Sequence, residues 1–167
     1  MAVDSSPDAV TSGASDPSVI AFWGARRTDS PGLPEQIPEV WAFGATPEHA
    51  DELLDLVLAG VKTGTASSLW DYEATGDPVP AVGDYSVILD GRGVARAVLV
   101  TTEIEIVPFD EVTAEHAHSE GEGDRSLEYW RAAHERYWRA YSENPRGFAA
   151  DMPVICERFT LVYPARG

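Results

Sequence analysis

The chain is 167 residues long, 44% hydrophobic and 10% aromatic, enough to bury one domain's core. Its net charge of -16 works against a non-specific grip on polyphosphate, which depends on Lys and Arg displacing counterions, so duplex DNA is excluded as a partner. No apolar run reaches the ~18 residues of a membrane span, and the first residues have neither a basic nor an apolar leader character, so a soluble, cytoplasmic protein without membrane contact is expected.

Residues 1–16, MAVDSSPDAVTSGASD, are small, polar and acidic with no apolar period, which predicts a disordered tail ahead of a single domain over 17–167. PSVIAFWGARR predicts a short helix with Pro17 in its first turn, before the breaker-rich TDSPGLPEQIP. VWAFG reads as a strand. Thr46 then caps a helix with Pro47 at its first position, and Ala50, Leu53, Leu54, Val57 and Leu58 form one apolar stripe up to Gly60, a left-handed stop.

YSVIL and VARAVLV flank Asp90-Gly91-Arg92-Gly93, the signature of a hairpin, and the alternation of Thr102, Ile104 and Ile106 with Glu103 and Glu105 extends the second strand. A helix is expected around FDEVTAEHAH, then an acidic loop, SEGEGD. Another helix starts near Ser126, with Leu127, Trp130, His134, Tyr137, Trp138 and Tyr141 on one face. MPVICERFTLVY closes the chain as a strand, in which the single Cys156 acts as a small buried apolar group. Helices inserted between pairing strands predict an α+β fold, a small mixed or antiparallel β-barrel flanked by helices.

Lys62 is the one lysine of the chain, every other cationic side chain being arginine. An amine can give up its proton where a guanidinium cannot, so a sequence that otherwise writes Arg marks this position for proton chemistry. Lys62 sits among hydroxyls, in Lys62-Thr63-Gly64-Thr65 followed by Ser67 and Ser68. A lysine whose burial lowers its pKa can act as base to such a hydroxyl; the structural alternative is that it contacts the last carbonyls of its helix. His116 and His118 with Glu120, Glu122 and Asp124 form a weak metal pattern that lacks a recognised zinc spacing, and a solvated acidic loop is the simpler reading. The aromatic stripe with His134 reads first as core.

LAGVKTGTAS, Gly83-Asp84 opening a strand, VPFDEVTAEHAHSEGEGD, YWRAAHERYW and VICERFTLVY, in this order over roughly residues 39–163, resemble the ASCH domain, a PUA-related family, in its longer bacterial branch with a Trp-x-x-x-His helix. The resemblance implies a small β-barrel flanked by helices, with a cleft associated with RNA or nucleobases. Characterised members include an amidohydrolase that deacylates N4-acylcytidine, and a ribonuclease. In the amidohydrolase the lysine and threonine of Lys-Thr-x-Thr act with a glutamate of the acidic segment, which carries over to Lys62, Thr65 and Glu120 as catalytic residues.

The expected activity is hydrolysis of an acylated cytidine or related nucleobase amide, with Lys62 activating Thr65 and Glu120 positioning Lys62 or relaying a proton. Thr63, Ser67, Trp70 and His134 are candidate substrate contacts. No cofactor or metal is called for, and the expected partner is a small nucleoside or nucleobase-like ligand. The alternative is an RNA-binding module for single-stranded RNA, with or without metal-independent ribonuclease activity, in the same cleft. A domain that binds a nucleotide-like ligand without catalysis is a third reading.

Overall fold

In the computed structural model, which describes residues 13–165, hydropathy alternation carries one strand far beyond its hairpin turn. In chain order the elements are α1 (Pro17–Asp29), β1 (Glu39–Trp41), α2 (Pro47–Leu58), β2 (Gly64–Ser68), α3 (Leu69–Thr75), β3 (Tyr85–Leu89), β4 (Ala95–Pro108), a 3-10 turn (Phe109–Glu111), α4 (Ala114–Glu120), α5 (Leu127–Tyr141) and β5 (Pro153–Tyr163). The β3–β4 turn is closed by Asp90, whose carboxylate accepts from Arg92 N and Val94 N at 2.9 and 3.0 Å.

The sheet has five strands in the order β1-β3-β4-β5-β2 and curls into a half-barrel. β1 pairs with β3 in parallel, and every other neighbouring pair is antiparallel, so the α+β expectation holds in its mixed form. Helices cover the sheet with three apolar clusters. Leu53, Leu54 and Val57 of α2 pack on Ile88, Leu99 and Phe159; Val19 and Trp23 of α1 pack on Val40, Val87 and Val98. Ala117, Trp130 and Trp138 of α4 and α5 pack on Ala66, Val154 and Cys156. Burying these side chains is the main favourable term in folding, roughly 25 cal/mol per Å² of apolar surface.

Residues 1–12 of the expected tail lie outside the described residues; Gly13–Ser15 are helical, and Asp16 caps α1 by accepting from Ser18 N at 2.7 Å. The cap, first proline and stripe of α2 are as read from sequence, with Thr46 accepting from His49 N and Gly60 left-handed at φ 75. Two local readings change. The strand at VWAFG stops at Trp41, and Phe43 turns into the core before the left-handed Gly44. The helix at FDEVTAEHAH divides, because Val112 has an extended ψ of 133 and Thr113 starts a new helix by accepting from His116 N.

Candidate functional site

Lys62 lies between α2 and β2, and three features fix its path. The amides of Val61 and Lys62 both return to Leu56 O, wrapping the end of α2. Thr63 N donates to Ser119 O at 2.7 Å, which ties the segment to the end of α4. Two glycines allow the approach: a Cβ on Gly64 would collide with Ser119 Oγ, and one on Gly121, at φ +73, would stand 2.7 Å from Val61 O. The glycine within Lys-Thr-Gly-Thr is therefore a packing requirement, and it brings Lys62 to Glu120 across 58 positions of sequence.

Both side chains are wholly buried. The Lys62 ammonium has three acceptors: Glu122 Oε2 at 3.2 Å, Glu120 O at 3.4 Å and Glu120 Oε1 at 3.5 Å. It also lies 5.4 Å from the centre of the Phe43 ring. Glu120 is ringed by donors from three elements. On its own helix, His116 Nε2 stands 3.0 Å from Oε2, the i,i+4 spacing placing both on one face. From α5, the Trp130 indole N–H donates to Oε2, and His134 Nε2 lies 3.4 Å from Oε1 without hydrogen-bond alignment. His134 Nδ1 is 2.8 Å from Trp130 O, so it carries a proton there, and its ring stacks on Trp130 at 4.0 Å.

Burial pushes the Glu120 carboxyl towards neutrality, but His134, Lys62 and the His116 hydrogen bond overcome it and hold the pKa well below the carboxylate range. Glu122, two residues further on, is likewise lowered: burial raises it, and Lys62 leads the positive charges that together bring it down. Glu120 is thus held as a carboxylate, with Lys62 as its buried partner.

The other sequence-derived candidates divide. His134 is part of the cluster. Thr65, on β2, is buried, and its Oγ1 has no hydrogen-bond partner, so it is not bonded to Lys62. Thr63 is exposed and lines, with Lys62, Val57 and Phe159, a hollow of about 490 Å³. Ser67 is buried on β2, on the same face as Thr65 by alternation. Trp70 is outside the cluster, packed on the Trp138 side of the core with the Arg146 guanidinium 4.9 Å from its ring.

Sequence reasoning passed over His116, Glu122 and Trp130 as partners of this site, although the spacings His116 to Glu120 and Trp130 to His134 are both i,i+4. The metal pattern is rearranged: His118 is exposed beside Arg125, whereas Glu120, Glu122 and His134 offer ligand atoms within 4.8 Å of one another. The Lys62 ammonium already stands against both carboxylates, so a divalent cation would enter against its charge.

A family model for the ASCH domain matches residues 39–163. Among solved structures, the chain is similar to a DUF984-family protein from Enterococcus faecalis V583, at 33% identity over 87% of this chain and 88% of that one, with a TM-score of 0.79. An ASCH domain from Lactobacillus crispatus JV V101 has the same fold, at 24% identity over 89% of this chain and 96% of that one, also with a TM-score of 0.79. No curated protein matches the chain.

Proposed function

The chain belongs to the ASCH domain family, and from that premise we propose that it is a small hydrolase of an acylated cytidine or a related nucleobase amide. The observation that carries this is the wholly buried contact between Lys62 Nζ and Glu120 Oε1 at 3.5 Å. These are the two positions onto which the amidohydrolase's lysine and glutamate carry over, and burying two charges costs several kcal/mol per ion before their attraction repays it.

Thr65 supplies the nucleophile. Its buried hydroxyl is unpartnered, available to a substrate rather than spent on the fold. Lys62 first passes one proton to Glu122 Oε2, 3.2 Å away, and as the free amine takes the proton from Thr65 Oγ1 as the oxygen attacks the amide carbonyl. The acyl carbon forms an ester with Thr65, the C–N bond to the base breaks, and the proton passes through Lys62 to the departing amine. Water then hydrolyses the ester and releases the free acid. Glu120 keeps its negative charge throughout and positions Lys62, since its oxygens are already occupied by His116, Trp130 and Lys62.

The test is turnover of N4-acetylcytidine beside a single-stranded RNA oligonucleotide. Thr65→Ser retains partial activity and Thr65→Val none; equal activity in both moves the nucleophile to water. Tight RNA binding that weakens steeply with salt overturns the reading in favour of a phosphate-gripping module.

A further inference from the structure

A second buried carboxyl faces the proposed nucleophile from the neighbouring strand. Glu157, on β5, is 8% exposed and is the direct cross-strand partner of Thr65 in the antiparallel β2–β5 ladder. Opposed side chains in such a pair have Cβ atoms about 4.5–5.5 Å apart on one face of the sheet. Ser67 shares that face with Thr65, and Tyr72 of α3 feels the charges of Glu39 and Glu157. Glu39 and Asp84, which bear on Glu157, also line a cavity of about 650 Å³ with Asp77 and Tyr85. The Thr65 hydroxyl, 2% exposed and without a partner, is the independent sign that this face awaits a ligand.

We propose that Glu157 is the residue that grips the base: as a neutral acid it offers an O–H donor beside a C=O acceptor to a ring nitrogen and the adjacent exocyclic N–H of a cytosine-type edge. The ligand class rests on the nucleobase reading above. Cytosine presents N3 as acceptor and N4–H as donor on one edge, and N4–H survives acylation; an ionised Glu157, with acceptors only, would face the N3 lone pair and lose the grip. Because Glu157 is opposite Thr65, gripping that edge brings the acyl group on N4 to the Thr65 hydroxyl.

The surroundings suit an acid that keeps its proton. Burial, then the carboxylate of Glu39, push Glu157 up to about 7; the Thr101 hydroxyl opposes this, and Asp84 and Glu120 add to it. The charged groups that bear most on Glu157 are Glu39 of β1, Asp84 before β3 and Glu120 of α4, all acidic, with the titratable Tyr72 of α3 also coupled to it. Glu103, Glu105 and Arg158 fall on the opposite face by alternation.

Calorimetric titration of the full chain with cytidine from pH 6 to pH 9 tests this, because cytidine carries no scissile amide and turnover does not enter. Wild type binds cytidine at pH 6, and Kd weakens by up to about tenfold per pH unit above pH 7, the limit for one required proton. Glu157→Gln, whose amide also places a donor beside an acceptor, binds cytidine at pH 9 as tightly as wild type does at pH 6, with a flat profile; Glu157→Leu loses binding throughout. Equal pH profiles in wild type and Glu157→Gln, or no cytidine binding at pH 6, each overturn the proposal. Absence of turnover on N4-acetylcytidine with the cytidine profile intact instead overturns the hydrolase reading and leaves Glu157 in place.

Discussion

Glu120 and Glu157 are both buried carboxyls, at 0% and 8% exposure, yet their surroundings drive them in opposite directions. Around Glu120, Lys62, His116, Trp130 and His134 converge, and the carboxyl is held ionised. Around Glu157 stand other acids and a hydroxyl, and the carboxyl is held close to half protonated at neutral pH. Desolvation is the leading influence on both, so depth of burial does not decide which form survives. The sign of the nearest partners does. One carboxyl thereby becomes fixed scaffold and the other a group able to carry a proton at physiological pH.

The largest effect expected from breaking this contrast is at Lys62. Lys62→Met removes the counter-charge while leaving Glu120 and Glu122 in place, and a buried pair broken on one side costs about 3–5 kcal/mol. Chemical denaturation should show that loss together with abolished turnover; a melting curve like that of wild type would mean that the carboxylates find other partners. Lys62→Arg keeps the charge but forces a larger head group into the same closed space, so it also loses stability as well as activity.

Glu157→Gln should act in the opposite sense, and only at higher pH. The folded-state pKa, about 7, lies above the ordinary 4.5, so below pH 4.5 the group is protonated in both folded and unfolded chains and costs nothing. Stability is lost as pH rises from 4.5 through 7, amounting to about 3 kcal/mol above that range. The variant should therefore match wild type near pH 4 and exceed it at pH 8, as read from paired urea curves. A difference that does not change with pH would contradict a protonated Glu157.

A smaller loss is expected at Gly64→Ala, about 1–3 kcal/mol, because the new methyl meets Ser119 Oγ and pushes the end of α4 away from Lys62. Activity should fall further than stability, since Lys62 and Glu120 part first. The smallest effect concerns salt. A cleft for one uncharged base should show kcat/KM on N4-acetylcytidine nearly constant between low and moderate ionic strength. A steep decline would point instead to phosphate contacts, although on α5 Arg139 is already paired with Glu135 at 2.8 Å and Arg131 donates to Asp110 O.

Sequence reading located the fold through local rules that the structure keeps: the Thr46 cap, the α2 stripe, the Asp90 turn and the extended β4. It missed α3, whose Ser68 N-cap makes no side-chain hydrogen bond and which buries no residue completely, so neither signal for a helix was strong. In the site, the composition of the chain made Lys62 conspicuous, and the resemblance supplied Thr65 and Glu120. Glu157 could not be found that way. Its character comes from burial and from Glu39, Asp84 and Glu120, which are remote in sequence and come near it only when the sheet forms and α4 packs beside it. The pairing of Thr65 with Glu157 is likewise a matter of register, which a single strand does not specify.

Thr63 has both of its main-chain groups committed in different directions: its N–H to Ser119 O at the end of α4, and its C=O to Phe159 N on β5. It is a junction rather than a rung of one ladder. Any fluctuation that lifts α4 from the sheet must release the Thr63 amide to solvent and, in the same movement, expose the Lys62 ammonium and the Glu120 carboxylate to water. The exchange rate of that single amide hydrogen therefore serves as a clock for assembly of the site, slow when the two charges are together and fast once they separate.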